Sequence, residues 1–189
     1  MGELSLKTEH IYLVFSKTGT WLSRLIGFIT KTPYTHVALS FDDKFDTLYT
    51  FGRVNPDNPF SGGFTIESLN AGVYKKSSLT YCGIYKMQIT SKQLNKLKEE
   101  LNKFIYSNIN YKYNFLGLIT LLFGKPLERK THYFCSQFLT ILLEKSDIWN
   151  SPKHSGLTRP TDLLLIEDKD VVFKGPVSDV NIIQKNITA

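Results

Sequence analysis

The sequence predicts an α+β fold in which a mostly antiparallel sheet packs against helices. Two β-rich segments, "THVALSF" (35–41) and "DTLYTFGR" (46–53), are joined by the turn "DDKF" and read as a β-hairpin. In the segment "YCGIYKMQI" (81–89), the alternation of side-chain types predicts a core strand. The segment "KQLNKLKEELNKFIY" (92–106) repeats apolar residues on one face and predicts a helix.

The other elements of the N-terminal half follow from local patterns. "HIYLVFS" (10–16) is rich in β-formers and predicts a first strand. "WLSRLIGFITK" (21–31) has apolar residues at helical spacing and predicts a helix that ends before Pro33. "VNPDNPFSGGF" (54–64) is a loop by composition, and "FTIESL" (64–69) is a weaker strand or a short turn.

The C-terminal half is expected to contain mainly short elements. Ser91 is expected to cap the helix at 92–106. The segment at 108–124 has a tyrosine-rich entry followed by a short apolar helix or a buried hairpin, and Gly124 to Pro126 end it. The remaining predicted elements are a helix that starts near Cys135, a short helix entry in "LTRPTDLLLI" (157–166) and a last strand in "DVVFKGPV" (170–177).

Length and composition are those of one ordinary globular domain, residues 1–189. The chain has 189 residues, of which 42% are hydrophobic, enough for one core. Its net charge of +6 predicts a weak attraction to acidic surfaces such as anionic lipid. Because the lysines are scattered, no nucleic-acid partner is expected.

The two cysteines, Cys82 and Cys135, are too few for a disulfide scaffold. No Cys or His pair has the short spacing of a zinc site, so neither a metal nor another cofactor is expected. The N-terminal apolar run is too short for a signal peptide, and no stretch reaches the length of a membrane span. These features predict free thiols in the reducing cytoplasm.

Cys135 is the candidate nucleophile of the chain. In "YFCSQFLTILLEK" it falls in the first turn of the predicted helix, where the helix dipole and unpaired amides favour a thiolate. The same amides can stabilise an oxyanion. The alternative is that Cys135 is a small buried residue, as free cysteines often are.

A nucleophilic cysteine needs a base, and four histidines are available. His36 stands where a loop becomes the strand "HVALSF", a position that is both accessible and held by regular structure. His132 lies three residues before Cys135. Sequence spacing alone does not choose between His36 and His132.

The order of these motifs carries a family resemblance. "YTHVALSF", a hairpin to "LYTFGR" and, about a hundred residues later, "YFCSQFL" resemble the circularly permuted, YiiX-like members of the NlpC superfamily of papain-like cysteine hydrolases. In the usual order of that superfamily the cysteine helix precedes the histidine strand, whereas here the histidine strand comes first. The resemblance spans about residues 10 to 165 and implies a permuted papain-like, NlpC-type fold.

The resemblance also implies roles for individual residues. Cys135 matches the nucleophile and His36 the base. The polar residue that orients the imidazole in such enzymes falls at Thr50, where a histidine or an acid is usual. A threonine hydroxyl can accept a hydrogen bond from the imidazole but cannot stabilise imidazolium as a carboxylate does. Glu67 is the alternative orienting residue, and Thr50 is otherwise a β-former on a strand.

By its position, the Cys135 amide is expected to be one oxyanion donor, and the resemblance implies a second donor, a tyrosine hydroxyl from the segment before the cysteine. "NYKYNFLG" offers Tyr111 and Tyr113, of which Tyr113 directly precedes the apolar segment. Gln137 either supplies another donor or faces solvent. Both tyrosines have the alternative of packing at the edge of the core.

The expected function is that of a cysteine-dependent hydrolase or acyltransferase that forms an acyl-enzyme on an amide, ester or thioester. The resemblance leaves the substrate open between a cell-wall-type peptide and a lipid or other acyl compound. A non-catalytic binding module with the same fold is the alternative, and the threonine at position 50 favours it.

Overall fold

The computed structural model of the chain describes residues 8–17, 33–55, 58, 61–72, 74 and 80–180. The helix predicted at 21–31 lies outside the described residues. The described chain forms strands β1 (Thr8–Lys17), β2 (His36–Ser40), β3 (Leu48–Arg53), β4 (Gly62–Glu67), β5 (Tyr81–Thr90), β6 (Lys112–Tyr113), β7 (His132–Tyr133) and β8 (Lys169–Pro176). Its helices are α1 (Ser91–Ile105), α2 (Phe115–Leu122), α3 (Cys135–Lys145) and α4 (Pro160–Leu163), with 3-10 turns at Ser155–Leu157 and Val177–Asp179.

The eight described strands form one sheet in the order β7-β6-β4-β3-β2-β1-β5-β8. The neighbouring strands pair antiparallel except β6 and β7, which are parallel. The predicted hairpin is present as β2 and β3, with Leu39 opposite Tyr49. Together with the helices, this sheet confirms the predicted α+β class.

Helix α1 begins one residue earlier than predicted. Thr90, and not Ser91, is the N-cap, because the Thr90 hydroxyl accepts a hydrogen bond from the Gln93 amide at 3.2 Å. The Gln93 side chain returns a bond to the Thr90 amide at 2.9 Å, which completes a capping box. Leu97 and Leu101 turn the apolar face of the helix into the core.

For the apolar part of the segment at 108–124, the sequence left open a short helix or a buried hairpin, and the structure shows the helix, α2. The Asn114 side chain caps it by accepting a bond from the Gly117 amide at 3.0 Å, and its amide donates to the Leu127 carbonyl at 3.0 Å. A Cβ atom at position 117 would lie 2.4 Å from Asn114 Nδ2, so this close approach needs glycine. The cap fixes the start of α2 directly after β6.

An aromatic cluster holds α3 against the sheet. The fully buried Phe138 ring lies 5.1 Å from Phe51 of β3, 5.7 Å from Phe64 of β4 and 5.0 Å from Phe104 of α1, between ring centroids. Tilted and edge-on contacts at such separations stabilise aromatic pairs beyond their burial. Since α3 contacts β2 and β3, this packing sets the position of the residue that begins the helix.

A smaller apolar cluster covers the other face of the sheet. Along β1 the buried side chains alternate: Leu13 and Phe15 belong to the larger cluster and Val14 to the smaller one. The smaller cluster also contains Leu48 and Tyr74. The central strands are therefore buried on both faces.

The Phe138→Ala variant tests the role of the aromatic cluster. We expect its free energy of unfolding to fall by about 3–5 kcal/mol, because a buried ring is removed and a cavity is left. Phe123→Ala is the matched control, since the Phe123 side chain is 73% exposed, and its free energy of unfolding should change little. Urea denaturation measures both, and equal losses would contradict this account of the core.

Candidate active site

Cys135 is the first residue of α3, which confirms the predicted start of that helix. Phe134 before it is extended, with φ −109° and ψ 165°, and no side chain caps the helix. The first-turn amides of a helix lack intrahelical partners, so they are available to an anion at this end. Cys135 is 2% exposed and lies at the border of the larger core cluster.

His36 is the first residue of β2 and contacts Cys135 through a hydrogen bond between the two side chains. Its Nε2 atom lies 3.0 Å from Glu67 Oε2. Because Nε2 is engaged by the carboxylate, Nδ1 is the ring nitrogen left to face the sulfur. The imidazole therefore stands between a thiol and a carboxylate, as a base in a nucleophilic triad does.

The structure separates the two candidates for orienting the imidazole. The buried Thr50 hydroxyl donates to the Val37 carbonyl oxygen at 2.8 Å, so it joins β3 to β2. The contact with His36 is made by Glu67, at the end of β4. The placement of Thr50 at the imidazole is thus corrected: the orienting group comes from the next strand of the sheet, and it is an acid.

Glu67 is also held by a hydrogen bond from Tyr74, which in turn contacts Ser16. The Tyr74 hydroxyl donates to Glu67 Oε2 at 3.2 Å, and Ser16 Oγ lies 3.2 Å from the same hydroxyl. Burial raises the pKa of Tyr74 well above its ordinary value, and the Glu67 charge raises it further. Tyr74 therefore remains a protonated donor at neutral pH.

The sequence reading missed Tyr74. It follows the strand of Glu67 by seven residues, in the lysine-containing segment "VYKKSS", and no local pattern distinguishes it from a surface aromatic. The Tyr74 side chain is 4% exposed, and tertiary packing determines both this burial and its contact with Glu67.

Gly52 of β3 leaves the space that the Glu67 carboxylate occupies. A Cβ atom at this position would lie 2.5 Å from Glu67 Oε1 and 3.4 Å from His36 Cε1. Any larger side chain would displace the end of the glutamate, which is the end that contacts the imidazole. Glycine at position 52 is therefore part of the geometry that joins Glu67 to His36.

Tyr113 is the second side chain that contacts Cys135. It ends β6, whose pairing with β7 places it level with Tyr133, two residues before the cysteine. Its hydroxyl forms a hydrogen bond with Cys135, and the pKa of Tyr113 is raised well above its ordinary value by burial, by the charge of Cys135 and by this bond. Tyr111 instead packs against Phe104 in the aromatic cluster, with the two tilted rings 4.9 Å apart between centroids.

Gln137 is buried in the first turn of α3 and is 2% exposed, so the alternative that it faces solvent is wrong. Its Oε1 atom has no hydrogen-bond partner among the residues that the structure describes. No contact joins it to the sulfur, and its role as a donor stays a prediction.

His132 is not brought to the thiol. Its Nδ1 lies 3.0 Å from the Thr131 hydroxyl, and its pKa is lowered by burial and by the charges of Arg129 and Lys112. Of the two histidines that the sequence left open, His36 is the one in contact with Cys135.

The electrostatics of His36 favour a charged imidazole. Burial lowers its pKa, but the negative charge of Glu67 and the hydrogen bonds with Cys135 and Glu67 outweigh burial and raise the pKa to about 10. At neutral pH the ring is therefore protonated. In general, an imidazolium that contacts a thiol and the positive end of a helix dipole both favour a thiolate.

The described part of the chain contains no cluster of side chains suited to bind a metal ion. There, no group of three or more His, Cys, Asp or Glu side chains is placed to hold an ion. Separately, the contacts that Cys135 makes with His36 suit nucleophilic attack by sulfur, with proton transfer through His36.

A histidine NMR titration tests the charge state of the site. His36 should titrate near pH 10, whereas His132 should titrate below its ordinary value in the same spectrum. Glu67→Gln removes the charge that raises the pKa of His36, so the His36 signal should move to markedly lower pH while the His132 signal stays in place. The His36→Gln variant assigns the signal.

The Gly52→Ala variant tests, in the same NMR titration, whether the position of the Glu67 carboxylate sets the pKa of His36. The added methyl group should push the Glu67 carboxylate away and lower the pKa of His36 in the otherwise wild-type chain. In the Glu67→Gln background it should have little further effect on that pKa. An ordinary pKa for His36 in the wild-type protein would contradict the described geometry.

No protein-family model matches the chain, and no curated protein matches it at a significant level.

Proposed function

We propose that the protein is a cysteine-dependent hydrolase or acyltransferase built on a permuted papain-like fold of the NlpC type. The observation that carries this proposal is the chain of contacts from Cys135 through His36 to Glu67. The order of the elements agrees with it, because the histidine strand β2 precedes the cysteine helix α3 along the chain.

The first half of the proposed reaction forms an acyl-enzyme. The Cys135 thiolate attacks the carbonyl carbon of an amide, ester or thioester and forms a carbon–sulfur bond. The resulting oxyanion accepts hydrogen bonds from the Cys135 amide and the Tyr113 hydroxyl. As the tetrahedral intermediate collapses, protonated His36 gives its proton to the leaving amine, alcohol or thiol.

The second half releases the acyl group. His36, now neutral, takes a proton from water or from another acceptor, which attacks the thioester carbonyl. Collapse of this intermediate breaks the carbon–sulfur bond and returns the thiolate and the imidazolium to their starting state. Glu67 keeps the imidazole oriented and stabilises its positive charge in both halves.

The contact with Glu67 also bears on the alternative of a non-catalytic binding module. That alternative drew its support from a threonine in place of the usual acid or histidine. A carboxylate at 3.0 Å from His36 supplies the group that appeared to be missing, so it supports the catalytic reading. The substrates proposed remain a cell-wall-type peptide and a lipid or other acyl compound.

Trapping of an acyl adduct tests the proposed function. Intact-protein mass spectrometry after incubation with a short-chain acyl thioester and with a p-nitrophenyl ester should show one added acyl group, and peptide mapping should place it on Cys135. Cys135→Ala should give no adduct, and His36→Gln should slow acylation by about 100-fold or more, because the proton-transfer group is lost. Adduct on Cys82 instead, or none, would refute the proposal.

Two further variants separate the orienting residue from its neighbour. Glu67→Gln should slow acylation by roughly tenfold or more, because the imidazolium loses its countercharge. Thr50→Val removes only a strand-joining hydroxyl and should cost about 1 kcal/mol of stability while leaving the acylation rate close to wild type. Equal losses of rate in the two variants would show that Glu67 has no special role.

A further inference from the structure

Helix α2 presents an apolar face that the rest of the described chain leaves uncovered. Leu116, Ile119 and Leu122 are 55%, 51% and 40% exposed, and Phe123, directly after the helix, is 73% exposed. The spacing of three, three and one residues puts them on one side of the helix. Large side chains exposed together in this way mark a surface for a partner or a membrane.

This face is held in a fixed orientation. On the other side of α2, Gly117 and Leu121 are buried, and the Asn114 cap ties the start of the helix to the Leu127 carbonyl. The helix therefore cannot bury its apolar face by rotating without losing these contacts.

Cations lie at both ends of α2. At its C-terminal end, the Lys125 amide bonds back to the Thr120 carbonyl, and the chain then returns along the helix to Leu127 at the N-terminal cap. Beyond Leu127, Arg129 forms an antiparallel backbone β-bridge with His132 of β7. His132 lies opposite Lys112 of β6 in the sheet. The exposed cations around the helix are Lys112, Lys125, Arg129 and Lys130.

Negative charge is scarce in the same region. Between residues 112 and 130 the sequence has one acid, Glu128, and it lies 2.9 Å from His154 Nε2. Over residues 112–130, the exposed side chains are therefore apolar along α2 and mostly positive before and after it.

We propose that α2 and its flanking cations, namely Leu116, Ile119, Leu122 and Phe123 with Lys112, Lys125, Arg129 and Lys130, dock the protein on an anionic lipid surface. An amphipathic helix lies in the membrane interface with its apolar side chains among the acyl chains and its cations at the headgroups. None of the described helices is long and apolar enough to cross a bilayer.

The positive charge around α2 favours an anionic membrane over a second copy of the chain as the binding partner of this surface. A symmetric contact through α2 would place the same cations opposite one another, and like charges disfavour that arrangement. An anionic membrane instead supplies the opposite charge at both ends of the helix.

Docking through α2 would also orient the candidate active site. Tyr113, which bonds to Cys135, and Asn114, which caps α2, are adjacent residues. The thiol would thus be held close to the membrane surface. The docking itself does not depend on the proposed catalysis, so either can fail alone.

Vesicle sedimentation of the full chain tests the proposal. Vesicles of phosphatidylcholine with phosphatidylglycerol should bind the protein at least about tenfold more tightly than phosphatidylcholine alone, and added salt should weaken this binding. The double variant Ile119→Ser with Phe123→Ser, and the double variant Lys125→Glu with Lys130→Glu, should each reduce binding by roughly tenfold or more. All four positions are exposed, so folding should be kept, which circular dichroism checks.

Matched surface variants serve as controls. Leu165 is 71% exposed and lies outside α2, and Lys92 is exposed on α1, so Leu165→Ser and Lys92→Glu should leave vesicle binding unchanged. The proposal is overturned by absence of binding, by equal binding to the two lipid compositions, or by equal losses in the controls. It is also overturned if the protein is a dimer that the α2 variants dissociate, or if only an acidic peptide binds this face.

Discussion

The contact between Glu67 and His36 is the interaction on which the rest of the candidate site depends. Burial alone lowers the pKa of the His36 imidazole, and the nearby carboxylate reverses this and keeps the ring protonated. The cation then favours negative charge on Cys135. The contact is set by the sheet, since β2 and β4 lie on either side of β3, and Gly52 of β3 leaves room for the carboxylate between them.

The carboxylate in turn is held by groups from other parts of the fold. Tyr74 donates to Glu67, and Ser16 of β1 contacts the Tyr74 hydroxyl, so four side chains from distant segments form one line of hydrogen bonds that ends at the sulfur. A buried polar network is stabilising only when its members are satisfied. We infer that Tyr74 is a positioning residue, which acts on Cys135 through Glu67 and His36.

Local patterns predicted the elements of the site better than its contacts. The helix start at Cys135, the strand start at His36 and the position of Tyr113 before an apolar helix all follow from short-range spacing. The partner of His36 did not, because the pairing of β3 with β4 puts Thr50 and Glu67 on the same face of the sheet and only tertiary packing decides which of them reaches the imidazole. The Thr50 hydroxyl bonds to the Val37 carbonyl, whereas the Glu67 carboxylate reaches His36. Tyr74 was missed for the same reason, since its burial depends on residues far away in sequence.

The most direct test of this account is the reactivity of the two thiols with iodoacetamide across pH, read by peptide mass spectrometry. Burial raises the pKa of Cys82 to about 12, so Cys82 is an internal reference for an unactivated thiol. The account predicts that Cys135 is alkylated much faster than Cys82 at neutral pH, and that His36→Gln removes most of this difference, because the imidazolium beside the sulfur favours a reactive thiolate. Alkylation of Cys135 no faster than that of Cys82, or unchanged in His36→Gln, would contradict it.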